Sequence, residues 1–176
     1  MILLILIWLF LRFVFLKITC KEIKFKNEII VNSFAIYIIL LIKITLLPIS
    51  INAISFDETY KLNFEYLPIS LTPIITLIDN GSIFLMLKNI LGNIFLFIPF
   101  GLIAPCIFKK LKNLKLIIIT SLIVSSSIEM IQLIEYIFSI SVNTRITDIN
   151  DIILNVLGSF IGFYIFNKLK IDKKIE

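Results

Sequence analysis

The stretch TRITDINDIILNVLGSFIG, residues 144–162, sets Arg145, Asp148, Asp151 and Asn155 at steps of three and four against an apolar run. Upstream, Ser125, Glu129, Gln132 and Tyr136 repeat that spacing, and Asn89 and Asn93 stand one helical turn apart. On a helix, such steps collect each set on a single face. A lone carboxylate such as Glu129 can act as a general acid or base, and two carboxylates three residues apart can share a divalent cation. A guanidinium such as Arg145 takes a phosphate or carboxylate through paired hydrogen bonds. The chain has no histidine, which removes Ser/His/Asp and Cys/His arrangements and any histidine-ligated zinc or iron site.

The elements that must carry these residues are set by composition. Of 176 residues 59% are hydrophobic and only 16% charged, with a mean hydropathy of +1.06, too apolar for a domain with a polar surface. The chain reads as all-α, a single polytopic integral membrane helix bundle over residues 1–176. Apolar stretches at 1–16, 29–50, 83–108, 116–137 and 150–167 each approach spanning length, giving five transmembrane helices. The first is short and carries Arg12, so it must tilt, thin the bilayer or snorkel Arg12 toward Lys17. A cleaved signal peptide is its alternative, but here the charges follow the apolar core instead of preceding it, and Thr19-Cys20 is a poor cleavage site.

Charge orients the bundle. Lys17, Lys21, Lys24 and Lys26 between the first two spans, Lys109, Lys110, Lys112 and Lys115 between the third and fourth, and Lys168, Lys170, Lys173 and Lys174 after the fifth form three lysine clusters on one side of the membrane, and such clusters favour the cytoplasm. The expected arrangement is amino terminus outside and carboxyl terminus cytoplasmic. The pI near 9.2 then reflects anchoring, and a nucleic-acid partner is not expected because the lysines form no continuous face. Cys20 and Cys106 fall at cytoplasmic ends in no metal-type spacing, so neither a disulfide nor a metal site is expected.

In that topology Asn93 and Glu129 lie roughly 12 to 15 Å below the outer helix ends and Asn155 roughly 8 Å, so the three polar stripes meet in the outer half of the membrane. Gly158 and Gly162 form a small-xxx-small pair suited to close helix approach, and Pro99, Gly101 and Pro105 predict a kink in the third span. The outer loop 51–82, with Phe56, Tyr60, Phe64 and Tyr66 between breakers at Pro68, Pro73 and Asn80-Gly81, is expected to lie on the membrane, as a cap on the bundle or a binding lid.

GNIFLFIPFGLIAP, SSSIEMIQ and TRITDINDIILNVLGSFIG, in this order and spacing, resemble the VanZ-like membrane proteins over about residues 89–165. The family positions fall at Asn93, Phe97, Pro99 and Gly101; at Ser125, Glu129 and Gln132; and at Arg145, Asp148, Asp151, Asn155 and Gly158. NFEYLPIS, residues 63–70, is a weakened form of an Asn-Leu-Ile-Pro-Phe stretch in the family's outer loop. The resemblance implies a cell-envelope membrane protein of Gram-positive type. Its founding member confers low-level resistance to teicoplanin, and the family has no agreed biochemical activity.

Each residue also has a structural reading. Asp148 and Asp151 open a helix, where carboxylates cap free amides and complement the dipole. Glu129 at its depth needs a partner, and Arg145 is the cation expected for it, directly or through the two aspartates, in a network that fixes the last two spans. Asn89, Asn93, Gln132 and Asn155 are suited to bonds between helices.

The favoured functional reading is an outward-facing pocket of Asn89, Asn93, Glu129, Gln132, Arg145, Asp148, Asp151 and Asn155, without cofactor or covalent chemistry. Its partners would be membrane lipids and a lipid-linked cell-wall intermediate or glycopeptide, with Lys88 a second cation at the entrance. The alternative is an intramembrane enzyme on a lipid-linked substrate, with Glu129 as acid or base and Asp148 and Asp151 on a divalent cation. A transporter lacks the internal repeat and paired broken helices it would need.

Overall fold

The computed structural model describes residues 2–19, 25–47, 69–70, 83–137 and 147–169. Five long helices make up nearly all of them: α1 Ile2–Thr19, α2 Phe25–Leu46, α3 Ile83–Ile107, α4 Leu114–Ile137 and α5 Ile149–Lys168. Within the described residues α2, α4, α5 and the Met86–Ile107 part of α3 are long and apolar enough to cross a membrane. Helix α1 has 18 residues, a rise of about 27 Å, at the lower end of what a bilayer core requires. The protein is a polytopic helical membrane bundle. The expected loop features between 51 and 82 lie outside the described residues, apart from Ile69 and Ser70.

Local chemistry sets the helix ends. Helix α2 starts four residues before the apolar stretch that marked it, taking in Lys26 and Glu28, and stops at Leu46, two residues before Pro48. A residue preceding proline is pushed out of helical geometry, which accounts for that stop. After Ile107 the chain makes a 3-10 turn, Lys109–Lys112. Asn113 then caps α4, its Oδ1 accepting from the amides of Lys115 at 2.9 Å and Leu116 at 3.4 Å. Helix α3 runs unbroken through Pro99 and Pro105, although each removes one backbone hydrogen bond.

The tightest seam joins α3 and α5, which run parallel. A Cβ at Gly158 would collide with the Ile94 carbonyl, one at Gly162 with the Ile98 carbonyl, and one at Gly101 with the Ser159 carbonyl. Three glycines thus let two backbones touch, as small-residue interfaces do in lipid. Helix α4 lies antiparallel on α5, and α2 covers α3 with Tyr37 donating to the Leu96 carbonyl at 3.1 Å. The apolar core gathers Leu41, Phe97, Phe100, Ile117, Phe163 and Phe166 from all four of these helices.

Helix α1 forms a hairpin with α2. Trp8 donates its indole N–H to Asn32 at 3.0 Å, and Arg12 makes a paired hydrogen bond to Glu28 at 2.6 and 3.1 Å. Tilt, bilayer thinning or snorkelling toward Lys17 were the expected ways to accommodate Arg12; the fold adds a partly buried carboxylate one helix away that pairs with it. One short parallel bridge completes the described fold, pairing β1, Ile69–Ser70, with β2, Thr147–Asp148, immediately before α5.

Candidate functional site

The polar residues gather where α5 begins, a start recessed in depth below the ends of α3 and α4. Asn93 lies about 15 Å into α3 yet meets Asp151, only about 3 Å into α5. Glu129 lies about 12 Å short of the end of α4 and accepts the Asp148 amide at 3.2 Å. The first turn of α5 therefore sits about 12 Å below the adjoining ends of α3 and α4. That offset corrects the level entry assumed from sequence. The β1–β2 bridge lies at this depth, and extended backbone at membrane depth is tolerated only when buried in protein or lining a cavity.

Three groups of side chains surround the start of α5. On the α3 side, Asn93 donates to Asp151 at 2.5 Å and to Asn89 at 3.3 Å, and Asn89 also bonds Asp151. Asn89 and its neighbour Lys88 are exposed.

At the top of α5, on the α4 side, Asp148 is the N-cap. Its extended backbone (φ −121°, ψ 124°) turns Oδ1 to the Asn150 amide at 2.9 Å, and the Asn150 side chain adds a bond at 2.8 Å. Asp148 thus does the capping work while Asp151 points across to α3. Glu129, 4% exposed, supports this turn by accepting the Asp148 N–H.

Deeper along α5 Asn155, 3% exposed, donates to Ser125 at 2.9 Å. Among the described residues the buried Asn155 Oδ1 and the Ser159 hydroxyl one turn on have no hydrogen-bond partner, nor has the Thr147 hydroxyl beside the cap.

Seven of the eight sequence candidates are described, and six of them join this arrangement: Asn89, Asn93, Glu129, Asp148, Asp151 and Asn155. Gln132 turns away to α2, donating to the Thr45 carbonyl at 2.9 Å and tying the ends of α2 and α4 together. Arg145, and with it the expected pairing to Glu129, lies outside the described residues. Among the described residues no group of three or more metal-ligating side chains gathers; Asp148 bonds the start of its own helix and Asp151 bonds α3.

Several buried polar residues were missed. Ser121 and Ser159 extend the α4 and α5 stripes by one more turn, so carrying the spacing further would have found them. Asn150 shares the cap of Asp148, and Glu135, 7% exposed, is off the Glu129 stripe; its only signal is a charge inside an apolar run.

Fold and site together define a helical membrane protein whose ionisable residues converge on the sunken start of its last helix. The family model described as VanZ/LLP1 matches residues 34–170. The chain belongs to this VanZ-like family. It is 30% identical over 145 residues to Protein VanZ of Enterococcus faecium, a match covering 81% of this chain and 78% of that protein. No solved structure matches it.

Proposed function

We propose that the recess at the start of α5 holds the polar head group of an amphiphilic or lipid-linked ligand, without covalent chemistry. On this reading the bundle lies in the cell membrane as a multi-pass protein with its carboxyl terminus cytoplasmic, the recess opens to the outside, and the protein contributes to resistance to glycopeptides of the teicoplanin type. The observation that carries the reading is the unmet hydrogen bonding beneath the recess. Asn155 Oδ1 and Ser159 Oγ are buried with no hydrogen-bond partner among the described residues, although native interiors pair such atoms with protein, water or ligand. Carboxylate and amide acceptors suit sugar hydroxyls and amines, and Arg145, three residues before the cap, suits a phosphate or carboxylate.

The test is expression in a teicoplanin-susceptible Gram-positive host. The wild-type chain is expected to raise the inhibitory concentration several-fold, and Arg145→Ala to abolish that rise at unchanged membrane abundance. Disappearance of folded protein from the membrane in the variant would instead assign Arg145 to a structural ion network and overturn the ligand role.

A further inference from the structure

At the opposite, lysine-rich end of the bundle the α1–α2 hairpin and the end of α3 leave a crevice of about 420 Å³. Trp8, Val31, Phe34, Ile38, Ile107 and Phe108 line it. Its walls are almost entirely apolar, since the one polar atom of Trp8 is already donated to Asn32. A second, smaller pocket of about 140 Å³ shares Val31 and Ile107 with it and adds Asn27 and Cys106, so the apolar crevice continues into a more polar mouth. The 3-10 turn follows directly on Phe108 and presents Lys109 and Lys110, both exposed. Glu28, the carboxylate described at this end of α2, is held by Arg12.

We propose that this crevice is a binding site for an anionic phospholipid of the surrounding bilayer, one acyl chain lying along Trp8 and Phe34 and the headgroup meeting Lys109 and Lys110. The argument is the sequence of environments along one path: apolar walls at acyl-chain depth, an amide-bearing mouth, then exposed lysines at headgroup level. Basic pockets between membrane helices recognise anionic headgroups in this way. Trp8 and Val31 of its lining, and the Trp8–Asn32 and Arg12–Glu28 contacts that hold α1 against α2, precede the residues matched by the family model. It is separate from the recess at the start of α5.

Trp8 is the only tryptophan, so the native chain carries its own probe. The full-length protein would be placed in phosphatidylcholine vesicles containing an equal small fraction of either phosphatidylglycerol or phosphatidylcholine brominated midway along its chains, and Trp8 quenching measured. Quenching should be several-fold stronger with the brominated phosphatidylglycerol. Lys109→Gln with Lys110→Gln should erase that preference, Lys115→Gln at the start of α4 should leave it, and Val31→Phe should weaken quenching by both lipids. Equal quenching by the two headgroups in the wild type, or a preference lost equally in Lys115→Gln, would mean bulk lipid or general surface charge and would overturn the site. The lysine variants lie on exposed side chains and decide the matter if Val31→Phe fails to fold.

Discussion

At the scale of single residues, Asp148 shows how one side chain serves both packing and site. It ends an extended segment, caps α5 and offers its own amide to Glu129, so the recess floor is fixed by three bonds on one residue. Replacing it with alanine should cost about 0.5–2 kcal/mol, the usual effect of losing a cap, whereas asparagine caps as well and should restore most of it. Thermal unfolding in detergent checks this; an asparagine variant as unstable as alanine would mean that the charge, and not the cap, does the stabilising. The α5 stripe was legible because steps of three and four name a helix face, and Asp148, Asp151 and Asn155 do share the recess. What each one touches was not legible. Gln132 sits on the same predicted stripe as Glu129, yet donates to the Thr45 carbonyl of α2, because stripes carry no information about which neighbour they meet. Glu135 escaped notice because burial against other segments, which periodicity does not encode, hides it.

Among elements, the α3–α5 seam carries the sharpest expectation. Gly158→Leu or Gly162→Leu would drive a side chain into the Ile94 or Ile98 carbonyl, and backbone there has no flexible end to yield. Either variant should lose most of its folded, monodisperse protein by size-exclusion chromatography in detergent. Gly92→Ala is the control: a Cβ there meets nothing within 4 Å, and alanine favours helix, so the same measurement should show no loss. The four helices from α2 onward were readable as apolar runs of bilayer length, and the glycine spacing marked α5 as a close-packing face. Their ends were less readable, since α2 draws charged Lys26 and Glu28 into its first turn, where Arg12 compensates the carboxylate. The recess of α5 was invisible for a similar reason: helix lengths do not reveal relative height, and only cross-helix partners such as Asn93 and Asp151 set it.

For the whole molecule, charge asymmetry governs placement in the bilayer. The three lysine clusters predict that green fluorescent protein fused to the carboxyl terminus fluoresces in the cytoplasm, while an alkaline phosphatase fusion at the same point stays inactive; the reverse pattern would invert the bundle and turn the recess inward. The order in which the chain is made adds a demand of its own. Asn93 and Asp151 are separated by 58 residues, and α4 emerges between them. At ribosomal speeds the amide and the bare glycine-accepting face of α3 must wait roughly 3 to 12 s for their partner helix to be synthesised. During that interval Asn93 has only Asn89 of its own helix to bond, and the seam closes when the last helix arrives.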